Sequence, residues 1–429
     1  MKKIIMASIM ILSLFVVMNC SENEQATQEV VNENTPDTIQ EDSKEISTEE
    51  VAEFLNGFDN DRDYSISEAN NKLSVVLFKM LDKKDKNLVF SSFSISNALA
   101  MAAETTDEEI SKSIRSGLRL PNDPATIRKG YQSILTNYGK ENNEYALNIA
   151  NAVWVDKKYS LESERQKNIE KYYLGQAISF DNLQPVVTAN RVNEWCDKKT
   201  NGMIKKIINA DLIHPLTHLI LTNAIYFKGS WEEEFQVYNT SQRTFYNSAE
   251  QESQVDFMNI NENFAYTEDD NVQVLKMNYR GGDLSMLVIL PRENDIRALK
   301  DNLTSEILAK WNKELKTYKV NVQLPKFKFD FDAELNDPLK KIGMARAFVG
   351  KTADELYIDK VLHKAIIDVN EEGTEAAAVT AVAMTTRSLP PQFEKRKFIA
   401  DHPFIFVIQD DRNQNILFMG KVEQPVYER

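Results

Sequence analysis

The chain has 429 residues, 42% of them hydrophobic, and a formal net charge of −14; that is ample apolar material for one large globular domain or two average ones. Two cysteines, Cys20 and Cys196, exclude a disulfide framework, so packing must hold the fold. Residues 21–70 carry fifteen Asp or Glu against two bases, Lys44 and Arg62, a balance of −13, so the remainder is near neutral and the global charge gives no clue to a partner.

The N-terminus opens on Lys2 and Lys3, continues through residues 4–18, apolar except for Ser8 and Ser13, and reaches Asn19 and Cys20. This run is shorter than the ~20 residues a spanning helix needs and reads as a secretory signal, with nothing later long and apolar enough to span. Residues 1–20 resemble bacterial lipoprotein signals. Cys20 stands where the acylated cysteine stands, and Val17 fits three residues before it, whereas Asn19 occupies a position usually held by a small residue. The resemblance implies a lipid on Cys20 and anchorage to the cell envelope. Outer-membrane placement is favoured because position 21 is Ser and not the Asp that commonly retains such proteins at the inner membrane. A plain cleaved signal, giving a secreted protein, and an uncleaved anchor are the alternatives.

Residues 21–64 hold few large apolar side chains before Val51 and repel themselves, which predicts a flexible acidic tether. Asp59, Asp61 and Asp63 resemble the start of a calcium-binding loop. Tyr64, however, replaces the glycine of the sharp turn and Asn70 the bidentate Glu, so an acidic linker is the simpler reading and no metal is expected.

Leu73, Val76, Leu77, Met80 and Leu81 then recur at helical spacing, with Ser65 or Ser67 as cap. Helical patterns follow at 95–101, 107–114, 126–138, 161–173 and 187–200, which makes the first half mostly helical. After Leu219, apolar and aromatic runs at 219–227, 272–279, 284–290, 318–324, 365–369 and 404–408 read as strands. Helices first and strands later, without regular alternation or internal repeats, predict an α+β domain over 65–429 with large mixed or antiparallel sheets.

Chemistry is scarce. No zinc-protease helix, phosphate-binding glycine loop, dinucleotide fingerprint or nucleophile elbow occurs. Of the four histidines, His214 and His218 are separated by Pro215, and His363 and His402 stand alone, so capping or buried polar contacts account for them better than catalysis. There is no basic stripe interleaved with aromatics for nucleic acid. An enzyme is not expected, and no cofactor is implied.

The unusual segment is 371–391, EEGTEAAAVTAVAMTTRSLPP. Sorted by period two, one face holds Thr374, Ala376, Ala378, Thr380, Val382 and Met384, all uncharged; the other holds Glu375, Ala377, Val379, Ala381, Ala383 and Thr385. A partly buried strand or an extended loop would look similar. The distinctive property is that such small side chains suit both a solvated loop and a central strand.

Seven motifs in order resemble the serpin family over about 72–425: NLVFSSFSI (87–95), LTNAIYFKGSW (221–231), GGDLSMLVILP (281–291), LPKFKF (324–329), HKAIIDVNEEGTEAAA (363–378), ADHPFIFVI (400–408) and FMGKVEQP (418–425). The resemblance implies the serpin fold with an exposed reactive-centre loop at about 371–391. It makes Glu371, Gly373, Thr374, Glu375, Ala376, Ala377 and Ala378 the loop's hinge, and counting seventeen residues from Glu371 puts the scissile bond at Arg387-Ser388. Arg387 implies a trypsin-like serine protease as partner in a covalent, suicide complex. Ser91, Ser94, Asn223 and His363 resemble the polar cluster beneath the opening sheet, and Trp231 the aromatic at the top of the insertion point. The alternative is a non-inhibitory serpin-fold surface lipoprotein that binds or supports; a monomer is expected in either case. Two departures bear on sheet opening. Ser92 replaces a usual proline, and the segment 102–107 lacks the expected Gly-rich turn. The 126–138 helix offers only Arg128 and Lys129 as bases, so no heparin-type site is implied.

Overall fold

The computed structural model describes residues 64–138, 145–352, 354–374 and 393–427. All of these belong to one of the chain's two units, Ser43–Arg429, the other being Met1–Asp42. Cys20, Asp59, Asp61, Asp63 and nearly all of the expected tether therefore lie outside the described residues, as do Glu375, Ala376, Ala377, Ala378, Arg387 and Ser388.

Helix α1 (Ile66–Leu81) starts on a capping box. Ser65 Oγ accepts from the Glu68 amide at 3.2 Å while the Glu68 carboxylate accepts from the Ser65 amide at 3.0 Å, so Ser65 and not Ser67 is the cap. Tyr64 is buried against Ala69, and Asn70 donates to Asn415 Oδ1 at 2.9 Å and to the Ile416 carbonyl at 2.8 Å. The fold thus reaches back into the acidic stretch, whose last residues are tied down by specific polar contacts that charge counting does not register.

Strand β1 (Leu88–Phe90) leads into α2 (Ser92–Thr105), α3 (Glu108–Gly117) and α4 (Pro124–Tyr138). The missing Gly-rich turn is replaced by two hydroxyls: Thr105 and Thr106 fold back on the Ala102 carbonyl at 2.8 and 3.1 Å, and Asp107 at once caps α3 through the Ile110 amide. Next come β2 (Tyr145–Asp156), α5 (Ser163–Tyr173), β3 (Gln176–Phe180) and α6 (Pro185–Lys199). The twelve-residue β2 corrects the expectation of a mostly helical first half. Its last seven residues are buried on both faces, so no simple alternation marks it.

The second half holds β4 (Leu219–Ser230), β5 (Ser241–Tyr246), β6 (Glu252–Glu268), β7 (Val272–Asn278) and β8 (Leu284–Pro291). Helices α7 (Ile296–Asn302) and α8 (Ser305–Glu314), capped by Asp295 and Thr304, interrupt the strands. Then follow β9 (Lys316–Pro325), β10 (Phe327–Glu334), the short α9 (Asn336–Leu339), β11 (Lys360–Val369), β12 (Gly373–Thr374), β13 (Lys395–Ile399), β14 (Phe404–Asp410) and β15 (Asn415–Val422).

These strands make two sheets. Nine form one with order β1-β15-β14-β8-β7-β6-β9-β13, β5 joining at β6; six form the other with order β10-β11-β12-β4-β2-β3. Helix α2, buried along almost its whole length, touches β15 of the first sheet and β2 and β4 of the second, so the core lies between the sheets around this helix. On the opposite face of the six-stranded sheet, α6 and the segment after it pack Cys196 and Ile204 against Ala150 and Ala224.

Candidate functional site

The site is the seam between β4 and β11. These two strands run parallel and pair directly from Lys360↔Ile220 to Ile366↔Tyr226, whereas among the described residues their other neighbours are antiparallel. Parallel neighbours need a long crossover and leave room in topology for an antiparallel strand between them.

Beneath the seam, His363 on β11 and Asn223 on β4 are register partners. The Ser91 amide donates to His363 Nε2 at 3.3 Å, which leaves Nδ1 as the protonated nitrogen that donates to Asn223 Oδ1. Asn223 Nδ2 donates in turn to Ser94 Oγ and to Asn151 Oδ1, and Ser94 Oγ donates to Asn151 Oδ1 at 3.1 Å. Ser91, capping α2, accepts from the Ser94 amide at 3.1 Å. Every member is buried, and burial pushes the His363 imidazole down to about 3, so it is neutral. The structure therefore brings Ser91, Ser94, Asn223 and His363 together. It adds Asn151 of β2, which the sequence reading does not single out, although an asparagine inside the run NIANAVWV already marks a buried strand with a polar obligation. Ser92, in place of proline, is also used: its hydroxyl meets Ser74 Oγ at 2.5 Å.

At the upper end of the seam the chain leaves β11 through a tight turn. The Asn370 amide donates to the Gly373 carbonyl at 2.9 Å, and the chain returns so that Val369 pairs with Thr374. Gly373 and Thr374 pair on their other side with Ser230 and Gly229 of β4, so β12 is a two-residue strand lodged between β11 and β4. Thr374 is 1% exposed and its hydroxyl meets Tyr279 at 2.7 Å. Trp231 stacks on Tyr279 with centroids 4.6 Å apart, donates through Nε1 to the Asn370 carbonyl at 3.0 Å and through its amide to the Glu372 carbonyl at 2.9 Å. Glu371 is buried between Lys326 Nζ at 2.8 Å and the Thr240 hydroxyl at 2.8 Å. Burial works to raise its carboxyl, and the hydrogen bonds from Lys326, its own backbone and Thr240 outweigh it, so the group sits below the usual carboxylate range. The expectation of an exposed loop over 371–391 is thus corrected at its start: Glu371 is buried in the turn, Gly373 and Thr374 lie in the sheet, and 375–391 lie outside the described residues.

Among the described residues no group of three metal-ligating side chains occurs, and His402 is engaged by Asp401 and the Pro291 carbonyl. Arg128 forks onto Glu104 at 2.8 and 2.6 Å, so this base of α4 is already committed.

Comparison with known proteins agrees with the geometry. Residues 68–425 match the family described as serpin (serine protease inhibitor). An uncharacterized serpin-like protein of Methanosarcina acetivorans is 36% identical over 86% of this chain and 89% of its own length. The leukocyte elastase inhibitor of Bos taurus is 34% identical over 84% of this chain and 99% of its own. Human thyroxine-binding globulin complexed with thyroxine superimposes with a TM-score of 0.76 at 26% identity, over 84% of this chain and 99% of that one. A parallel seam with a buried polar cluster below it, a two-residue strand lodged at its upper end, and a family match over nearly all of the described structure together lead to one conclusion: the chain belongs to the serpin family.

Proposed function

We propose that this serpin is a suicide inhibitor of trypsin-like serine proteases with Arg387-Ser388 as its reactive bond, and not an enzyme. The observation that carries the reading is the placement of Gly373 and Thr374 between β4 and β11. Each residue further along the loop would step one residue back along both strands. Six residues on, Thr380 falls opposite Asn223 and His363, which are each other's present partners. The two halves of the seam are therefore already in the register that an inserted strand requires.

Thr374 points its side chain into the core toward Tyr279, and the alternation of a strand continued from it would turn Ala376, Ala378, Thr380, Val382 and Met384 inward as well. This is the uncharged face of the loop. Thr380 would also replace a bond that insertion must break, since its hydroxyl can accept from His363 and donate to Asn223.

The chemistry follows from the bond. The protease serine oxygen attacks the Arg387 carbonyl carbon, the Arg387–Ser388 C–N bond breaks, and the Ser388 amine departs with a proton, leaving an ester. Insertion of about twelve residues at ~3.3 Å each carries the attached protease ~40 Å along the sheet. Distorting an oxyanion hole by removing one donor costs roughly 3 to 4 kcal/mol, less than the ladder bonds formed. The preference for trypsin-like partners rests on the Arg387 guanidinium, which suits a carboxylate at the base of a specificity pocket. The relative named leukocyte elastase inhibitor supports protease inhibition in general. The signal ending at Cys20 supports tethering by lipid to the cell envelope.

The test is a denaturing gel after mixing with trypsin. A stable covalent complex is expected, and Thr374→Arg should turn the inhibitor into a substrate cleaved after Arg387, because an unpaired guanidinium cannot take the 1%-exposed place of Thr374. Clean cleavage without a complex in the unaltered protein would instead favour a binding or structural role.

A further inference from the structure

At the lower end of the seam one side chain holds both strands. Asp359, the residue before β11, turns its Oδ2 to the amides of His218 and Leu219 at the start of β4, at 2.7 and 2.9 Å. Its own amide donates to the Leu219 carbonyl at 2.9 Å, so Asp359 occupies both backbone groups that Leu219 turns toward the seam. Hydrogen bonds to a charged acceptor are strong ones. The clasp is braced from either side. Asn336 donates to the Asp359 carbonyl at 2.6 Å and accepts from the Val361 amide at 3.0 Å, and the His218 carbonyl accepts from the Asp156 amide at 2.8 Å. The His218 ring also meets two tyrosines edge-on from opposite sides of the seam, Tyr159 after β2 and Tyr357 before β11, with centroids 5.3 and 6.1 Å away.

We propose that Asp359 is a positioning residue for the last step of loop insertion, one that must release Leu219 before the cut loop can enter in full. The inference rests on the inhibitory reading above. The register set by β12 would bring Met384 opposite Leu219 on β4 and opposite Asp359 on the β11 side. At the upper end of the same edge the Trp231 amide already donates to the Glu372 carbonyl. Leu219 lies an even number of residues further down, so its amide and carbonyl face the same way. Met384 would therefore need the two groups that Asp359 now holds.

With the clasp shut, residues 374–383 would fit above it, and Met384, Thr385, Thr386 and Arg387 would stay outside, about 13 Å of chain. Slack of that length leaves the ester in an active site that is not under tension, where water hydrolyses it to free protease and an Arg387 carboxylate. Opening the clasp takes up the slack. The time it needs sets how many inhibitor molecules are spent for each protease held. Its stabilising effect belongs to the intact form alone, because in the cleaved form Met384 would satisfy Leu219 in place of Asp359.

The experiment compares the full chain with Asp359→Ala and Asp359→Asn. The asparagine keeps the shape and an acceptor oxygen without the charge, and it carries the test alone where the alanine variant does not fold. With trypsin, the unaltered chain should spend more than one molecule for each protease trapped. That excess should shrink about tenfold in Asp359→Ala, equivalent to about 1.4 kcal/mol in the competition between insertion and hydrolysis, and by less in Asp359→Asn. The guanidinium midpoint of each uncut variant should lie below that of the unaltered chain, whereas the forms cleaved after Arg387 should unfold together. A side chain that merely supports the fold would lower both forms alike. An equal loss in both forms, an excess that neither variant changes, or an unaltered chain that spends only one molecule per protease would each overturn the role of Asp359 while leaving the inhibitory reading intact. If the unaltered protein forms no covalent complex at all, the inhibitory reading fails and takes this inference with it.

Discussion

His363 has both ring nitrogens committed, one accepting from the Ser91 amide and one donating to Asn223, and neither faces water. A second proton would have to displace the Ser91 bond inside a buried cluster, which is why burial holds the imidazole near 3. The unfolded chain takes that proton at about 6.5. The contribution of neutral His363 to stability is therefore fully present above pH 6.5 and is lost as pH falls from there toward 3. The slope is about 1.4 kcal/mol per pH unit, or roughly 2 kcal/mol between pH 6.5 and 5. The urea midpoint should accordingly fall between pH 7.5 and pH 5. His363→Gln should start lower at pH 7.5 and lose less on acidification, and an equally steep loss in the variant would show that His363 is not the titrating group. The residues of this cluster differ in how they could be read from sequence. Ser91, Ser94, Asn223 and His363 stand in motifs with family neighbours, whereas Asn151 sits in an unremarked apolar run, and its role depends on which strand lies between β3 and β4, a fact of topology that no local pattern carries.

The strand β12 is two residues long because the turn before it and the strands beside it leave no slack. A Cβ on Gly373 would stand 2.0 Å from the Gly229 carbonyl oxygen and 2.7 Å from Ser230 Cα, both backbone atoms of β4. Gly373→Ala must therefore push β4 and β11 apart or drive β12 out of the seam. Expulsion would break the Thr374–Tyr279 hydrogen bond and loosen the Trp231–Tyr279 stack, so tryptophan emission should shift. Passage of the loop would be hindered as well, and more inhibitor should be consumed per protease trapped. Unchanged emission together with unchanged stoichiometry would refute this account of the seam's upper end. The element scale also shows where sequence patterns are informative. Runs such as 284–290 and 404–408 are continuous, apolar and bounded by turns, and they become β8 and β14 with small changes at their ends. By contrast β10 reads FKFDFDAE, alternating aromatic and charged residues, yet it passes as a motif until its pairing with β11 is seen; α7 and α8 are short helices announced only by their caps. The loop itself is legible because its composition is odd, while its burial at Glu371 and Thr374 is not, since that depends on Lys326, Thr240 and Tyr279 arriving from three other parts of the chain.

For the molecule as a whole, the seam is a sheet one strand short. Seven pairs join β4 to β11 directly; an inserted strand of about twelve residues would replace them with ladders on both sides. A net gain of ten to twenty backbone hydrogen bonds at ~0.5 to 1.5 kcal/mol each amounts to roughly 5 to 30 kcal/mol, comparable with or above the entire stability of an ordinary domain. On the proposed reading the uncut chain would not collect this energy, because the segment after β12 is joined onward to β13, and a cut at Arg387 would free it to advance beyond Thr374. Cleavage after Arg387 should thus raise the melting temperature by tens of degrees. The size of the rise must be compared at one scan rate, because a melting temperature depends on scan rate wherever unfolding is irreversible. Thr380→Val supplies the internal control. It keeps the shape of the inserted strand but removes the hydroxyl that would satisfy Asn223 and His363, leaving two buried polar groups unpaired, so the cleaved form should lose roughly 1 to 3 kcal/mol. A cleaved protein that melts where the uncut one does would mean that the loop stays out of the sheet. A cleaved protein that is strongly stabilised yet indifferent to Thr380→Val would mean that it enters in a register other than the one set by Gly373 and Thr374.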